Sequence, residues 1–214
     1  MDATFFGRGY GLLVFRAKQR NLYWQEIKTE KIKHYAEGLD DLTQAGFLFQ
    51  AFVIDGRKGV IQLLRSKFPP LPIQLCQFHQ LQIVTRYLSR SPKLEAGQEL
   101  RKLALTLTKT TREKFTARLE QWELKWKTFL EEKQKNFLTN RSRFVHRTLR
   151  SAWRSLKNNL PYLFTYLDYP KLQIPNTTNS CDGSFAHWKQ KVKIHRGLAR
   201  KRRKKMIDYL LENS

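Results

Sequence analysis

The stretch Phe47-Leu48-Phe49-Gln50-Ala51-Phe52-Val53-Ile54 carries one polar residue in eight and stops at Asp55-Gly56. A nearly continuous apolar run of this length suits a strand buried on both faces, which commits the chain to a sheet with layers above and below it. The neighbouring segments supply that sheet. Residues 2–6 are short and β-rich, and Tyr10-Gly11-Leu12-Leu13-Val14-Phe15 is an apolar run set off by Gly7 and Gly9. Residues 21–27 follow a polar link, as in an antiparallel meander. Ile32, Tyr35, Ala36, Leu39 and Leu42 recur at helical spacing over 30–45. A short helix over 57–66 leads through Pro69-Pro70 and Pro72 to a strand at Ile73-Gln74-Leu75-Cys76. The order is βββαβαβ, an α/β chain with a mixed sheet.

Beyond residue 80 the pattern turns helical. Over 111–136 the residues Phe115, Leu119, Trp122, Trp126 and Phe129 step by four and three, and Val145, Leu149, Ala152 and Leu156 repeat the rhythm. Such stripes are read as core. Residues 170–179, with Pro175, break the helices, and a last helical region starts near Asn179 and is interrupted at Gly197. Three parts follow: a strand-rich core over 1–79, an all-helical insertion over 80–168, and a completion of the core over 169–214.

Charge sharpens that division. The chain has 214 residues, 41 Lys+Arg against 18 Asp+Glu, and a formal net charge of +23. The first part holds 11 basic and 7 acidic side chains, the second 19 and 8, the third 11 and 3. Residues 183–207 carry ten Lys/Arg and no acid. With 41% hydrophobic residues the chain has material for a core, so it is no disordered basic tail. No window approaches the 18 apolar residues of a membrane span, and Met1-Asp2-Ala3-Thr4-Phe5-Phe6-Gly7 is unlike a secretory signal. Two cysteines without such a signal argue for a reducing compartment, the cytoplasm. Asn140-Arg141-Ser142 and Asn176-Thr177-Thr178 fit the glycosylation pattern, but there they would not meet that machinery. A charge of this size calls for a polyanion, nucleic acid first and an anionic membrane surface second.

In so basic a chain each isolated acid is worth weighing. Asp2 opens the first strand and means little alone. Asp55 ends the most apolar strand, where ligands of α/β sheets commonly bind, although Asp-Gly is equally a turn signal. Asp182 falls at the third position of a helix capped by Asn179, a capping-box acid. It also shares a helix face with Ala186, Lys189 and Lys193, a carboxylate in line with a phosphate track. The neighbouring stripe is Cys181, Phe185, Trp188 and Val192. Cys76-Gln77-Phe78-His79 is half of a zinc site, a buried cysteine beside a hydrogen-bonded histidine, or a polar neighbour of a metal site. Cys181 with His187 is a possible other half, although the two stand six residues apart on different helix faces. Trp153 and Trp188 are candidates for stacking on an unpaired base, with packing the stronger alternative for Trp188.

Taken in order, several blocks carry a resemblance. Asp2-Ala3-Thr4-Phe5-Phe6-Gly7, Ile54-Asp55-Gly56-Arg57-Lys58-Gly59, Cys76-Gln77-Phe78-His79-Gln80 and Asn176-Thr177-Thr178-Asn179-Ser180-Cys181-Asp182-Gly183 are similar to those of Mutator-type bacterial insertion-sequence DDE transposases. So is His195-Arg196-Gly197-Leu198 with its basic run. The resemblance implies a ribonuclease H-like core with an all-helical insertion, and Asp2, Asp55 and Asp182 as catalytic, metal-holding acids. Cys76 and His79 would support that site. Lys189, Lys193, Arg196, Arg200, Lys201, Arg202 and Arg203 would bind DNA. It further implies Mg²⁺, with Mn²⁺ as a substitute, and double-stranded DNA, both element ends and target, as partner. A homo-oligomer assembled on DNA, in the bacterial cytoplasm at the nucleoid, completes the expectation. The family usually has Glu where this chain has Asp182, and an upstream helix-turn-helix before the first acid. A truncated, inactive DNA-binding remnant, a ribonuclease H-like nuclease or resolvase, and an RNA-associated basic protein are the competing expectations.

Overall fold

The computed structural model describes residues 1–18, 20–135, 140–195 and 197–213, without the side chains of Asn179, Ser180 and Arg200. The chain is a mixed α/β protein that divides into two compact units, Met1–Ile73 with Thr178–Ser214, and Gln74–Thr177.

The first unit is built on an antiparallel sheet of β1 (Asp2–Phe5), β2 (Gly11–Ala17) and β3 (Arg20–Ile27). Its register sets Asp2 opposite Val14 and Thr4 opposite Leu12. Alternation along β2 then decides which layer covers which face. Leu12 and Val14 point to a cluster with Cys181, Phe185, Trp188 and Val192 of α8 (Asn179–Ile194) and Ile207 and Leu211 of α9 (Arg200–Glu212). The stripe spaced four, three and four along α8 is therefore core, and Trp188 is fully buried. Phe15 points the other way and meets Tyr23 edge-on at 5.4 Å and Tyr35 of α1 (Ile32–Gln44) at 6.4 Å. Gly38 on α1 makes this approach possible, since a Cβ there would lie 2.7 Å from Tyr23 and 2.8 Å from Phe15.

The strand covered on both faces is thus β2. The run 47–54 fares differently: β4 is only Phe52–Ile54, and Leu48 is 94% exposed. Its phenylalanines are used locally instead, Phe49, Phe52 and Phe68 forming a ring cluster with centroids 5.2–5.3 Å apart. After β4 come α2 (Lys58–Lys67) and β5 (Ile73–Leu75), and β4 and β5 make a second, two-stranded sheet. The five strands do not form one sheet among the described residues. β1 and β4 are four and three residues long, too short for an extended ladder, and the amino group of Met1 donates to Val53 O at 3.0 Å where they meet.

The second unit contains α3 (Gln77–Leu88), α4 (Glu95–Leu105), α5 (Arg112–Glu131), α6 (Arg147–Leu163) and the single-turn α7 (Thr165–Asp168). Phe115, Leu119 and Trp122 of α5 and Leu149, Ala152 and Leu156 of α6 are buried. It is not all-helical. Helix α5 ends at Glu131, and β6 (Lys133–Lys135) and β7 (Ser142–Phe144) pair antiparallel. The Arg150 guanidinium stacks on Phe144 at 3.6 Å, which ties β7 to α6, and Val145 N–H donates to Glu132 O beside the strand pair. The part over 76–79 belongs to this unit as well. Gln77 side-chain N–H reaches Leu163 O at 2.8 Å, and its backbone N–H reaches Asn176 O at 2.9 Å.

Candidate metal centre

The first and last of the three candidate acids meet inside the first unit. Asp2 begins β1, and its cross-strand neighbour Val14 faces α8, so Asp2 stands on the side of the sheet that α8 covers. It is 7% exposed, and its Oδ1 accepts the Ala3 N–H at 2.8 Å. Asp182 sits in the opening of α8, one residue past Cys181, which the sheet buries. Carboxylate oxygens of Asp2 and Asp182 come within 4.8 Å of one another. Two like charges at that span repel by about 3 kcal/mol at an effective dielectric of 20. The folded chain must therefore hold them together.

What holds them is the surrounding polar framework. Thr178 is the N-cap of α8, which moves Asp182 one position past the capping-box site expected from an Asn179 cap. Its Oδ2 accepts from the Thr178 hydroxyl at 3.3 Å. Arg16, at the end of the apolar run of β2, donates to Asn21 Oδ1 at 3.0 Å and to Ser184 Oγ at 2.9 Å. It thereby pins the first turns of α8 to β2 and β3. The Cys181 thiol is pushed up by burial, and it feels the terminal ammonium, Asp2, Arg16 and Asp182 around it. Cys181 is buried in the core cluster while His187 is exposed, so the helix presents the two to different surroundings.

Asp55 follows β4 on a turn. Gly56 has φ +93°, and Asp55 Oδ1 accepts the Arg57 N–H at 3.3 Å, so the turn signal is realised. The turn is anchored from below: Arg57 pairs with Glu30 at 2.5 Å, and Tyr35 OH donates to Glu30 at 2.8 Å. The Glu30 hydrogen bond raises the Arg57 guanidinium, while burial first, then Glu30, Asp55 and Asp2, push the Tyr35 phenol far up. One phenol thus senses both Asp55 and Asp2. Among the described residues, however, Asp2, Asp55 and Asp182 do not form one close three-ligand group. Asp55 is oriented by its Asx turn, and its carboxylate does not join the Asp2–Asp182 pair within that 4.8 Å span.

The remaining expected residues are placed as follows. Cys76 and His79 lie in the second unit, where Cys76 Sγ accepts His79 N–H at 3.5 Å and caps α3. Lys189, Lys193, Lys201 and Arg202 are exposed, and Arg203 is half-buried. Arg196 and the side chain of Arg200 lie outside the described residues. Trp188 is core, and Trp153 is half-buried on α6. Arg16 and Tyr35 escaped notice in the sequence. The only local signal for Arg16 is a charge directly after four buried apolar residues. No helix among the described residues is long and apolar enough to cross a membrane. No family model, curated protein or solved structure matches this chain.

Proposed function

We propose that this chain is the catalytic part of a DDE-type DNA transposase, cutting and rejoining phosphodiesters at insertion-sequence ends. The observation that carries this is the meeting of Asp2 and Asp182, distant in the chain, inside 4.8 Å on a strand and a helix of one unit. Two oxygens bound to one Mg²⁺ at about 2.0–2.1 Å stand at most about 4.2 Å apart, so a pair within 4.8 Å needs at most a closing movement of about 0.6 Å to share one cation. The Asp2 and Asp182 donors are hard carboxylate oxygens, which suit Mg²⁺ or Mn²⁺. Asp2 and Asp182 would hold the ion, with Asp55 the nearest further acid in the sequence pattern. When bound, such an ion lowers the pKa of water and stabilises the leaving oxygen of a phosphodiester.

The chain's own groups do the rest. Lys189 and Lys193 stand exposed along α8 beyond Asp182, and Lys201 and Arg202 along α9. They bind the phosphate backbone of double-stranded DNA by releasing counterions. Arg16 keeps Asp182 in place through Ser184. A 3′-hydroxyl freed by hydrolysis then attacks target DNA, one phosphodiester forming as another breaks. The three-stranded antiparallel sheet, the Met1–Val53 bond beside β4, and the β4–α2–β5 order that follows support a ribonuclease H-like core. Assembly as a homo-oligomer on DNA, at the bacterial nucleoid, belongs to the same proposal.

Purified protein with supercoiled plasmid and Mg²⁺ provides the test. Asp2→Asn and Asp182→Asn should each slow nicking by at least about 100-fold while DNA binding persists. Equal nicking by parent and variants rejects the proposal. The separate placement of Asp55 favours a second reading, a DNA-binding remnant that does not cut. That chain would bind plasmid but show no carboxylate-dependent Mg²⁺ or Mn²⁺ binding by calorimetry. Preference for branched or hybrid substrates over linear DNA would point to a nuclease or resolvase.

A further inference from the structure

A cavity of about 300 Å³ opens beside the β1–β2 loop, lined by Phe6, Gly7, Arg8, Gly9, Tyr10 and Arg203. That size lies at the small end of ligand pockets, about 300–1,000 Å³. The chemistry of its wall is selective. Two aromatic rings, Phe6 and Tyr10, stand with centroids 5.7 Å apart and planes at 40°. Two arginines line the space with them, one from the loop and one from α9, and no carboxylate among the described residues does. Arg8 is exposed and forms no ion pair among the described residues. Between the rings the main chain is bare. Gly7 and Gly9 have φ +134° and +72°, and a Cβ at either would meet nothing within 4 Å. The Phe6 N–H to Tyr10 O bond, 2.9 Å, closes the loop and fixes the distance between the rings.

We infer that this cavity binds one unpaired nucleotide, its base against Phe6 and Tyr10 and its phosphate against Arg8 and Arg203. A planar anion is what two π faces and two guanidinium groups select together. An inorganic anion would engage only the arginines and an apolar ligand only the rings, which on their other side pack against the core cluster, while Arg203 also donates to Leu198 O at 3.4 Å. Arg203 belongs to a helix whose Lys201, Arg202 and Lys205 are exposed, so a strand drawn along α9 is delivered to the opening. Base–aromatic stacking is tolerant of sequence, which matches a pocket that offers no set of base-edge partners. The role that sequence patterning offered to Trp188, which is wholly buried, falls to these two rings. The inference rests on the proposed function only in taking nucleic acid as the partner, and needs no metal and no cleavage.

The experiment is done in EDTA, so that a failure of nicking and a failure of this pocket are separate results. A fluorescently labelled single-stranded oligonucleotide is titrated by anisotropy against a matching strand with one abasic site, using parent protein, Tyr10→Leu and Arg8→Gln. Tyr10→Leu should weaken binding of the intact strand about tenfold, and the abasic site should weaken the parent by a similar factor. The two losses should not add, because both remove the same stack. Arg8→Gln, on an exposed side chain with no folding risk, should lower the slope of log affinity against log salt by about 0.7. Intact and abasic strands bound equally by the parent, or Tyr10→Leu weakening both equally, overturn the inference. A strand carrying 4-thiothymidine should crosslink within residues 6–10 on irradiation, and crosslinks confined elsewhere overturn it too. Competition by thymidine monophosphate supports the pocket with a free nucleotide as occupant. Base dependence without that competition supports it with a strand.

Discussion

Helices α8 and α5 carry stripes of the same spacing and put them to different use. On α8 the residues Cys181, Phe185, Trp188 and Val192 are all buried, against one sheet face and α9. On α5 burial covers Phe115, Leu119 and Trp122, and the next two members are half-exposed. Trp126 there donates its indole N–H to Glu99 at 2.7 Å and lies under Lys125 at 4.8 Å, while His146 stacks on Phe129 at 3.6 Å. Periodicity says which side chains share a face. It does not say whether an apolar layer or a set of amphipathic side chains will cover that face. The difference bears on function, because a fully buried stripe fixes the azimuth of its helix, and on α8 it turns Asp182 towards Asp2.

The strongest way to break this comparison is to truncate one tryptophan from each stripe. Trp188→Ala should cost about 3–5 kcal/mol, the range for emptying a large aromatic site in a core. Trp126→Ala loses mainly one hydrogen bond and a partly solvated contact, about 1 kcal/mol. Urea unfolding followed by far-UV circular dichroism measures both. Equal losses would mean that the two stripes are equally packed, and that α8 owes its orientation to something other than its apolar face.

A smaller effect isolates what that orientation costs. Holding two carboxylates within 4.8 Å opposes folding, so Asp182→Asn should leave the metal-free protein at least as stable as the parent. Asparagine keeps an oxygen to accept from Thr178, which separates charge from hydrogen bonding. Addition of Mg²⁺ should reverse the ranking. At 100 times its dissociation constant an ion bound only to the folded state adds about 2.7 kcal/mol to the parent, and the variant should gain little. Thermal melts with and without Mg²⁺ decide it. Identical Mg²⁺ shifts in the two proteins would show that the pair holds no ion.

These contrasts also mark what could be read without coordinates. The α8 stripe was legible because 3.6-residue periodicity and burial are linked directly. The strands at 10–15 and 21–27 were legible for the same local reason, but the choice of 47–54 as the doubly covered strand was not. It was overruled by Gly38, which lets Phe15 and Tyr23 close on α1, and by Phe68, which draws Phe49 and Phe52 into a local cluster. Both are contacts between segments that no local window contains. The strand pair Lys133–Lys135 and Ser142–Phe144 was not legible because Lys133, Gln134 and Lys135 have no apolar alternation to reveal a strand. Asp2 and Asp182 were legible as acids in ordered blocks, whereas Arg16 was not, since its partner Ser184 lies 168 residues away.

The smallest effect separates the two units by pH. In the first, the Tyr23 phenol of β3 is pushed up to about 12, by burial first and then by Asp41, whose carboxylate accepts its hydrogen bond. A raised acid is stabilising while it stays protonated in both states. Its contribution is whole below the unfolded value near 10 and is lost as pH climbs from about 10 to 12. In the second unit, the hydrogen bond from Lys125, then that from Trp126, holds the Glu99 carboxyl below its usual range. That contribution is present above the ordinary glutamate value and disappears as pH falls below it, and it is shallow because the group is solvent-screened. Ultraviolet titration near 295 nm, comparing parent with Tyr23→Phe, should remove one phenol titrating near 12. Melting of Glu99→Gln should differ from the parent at pH 7 and converge with it towards pH 3. A Tyr23 that ionises near 10 would mean that the α1 face of β3 is looser than the α8 face of β2, and would confine tight packing in the first unit to the side that carries the acids.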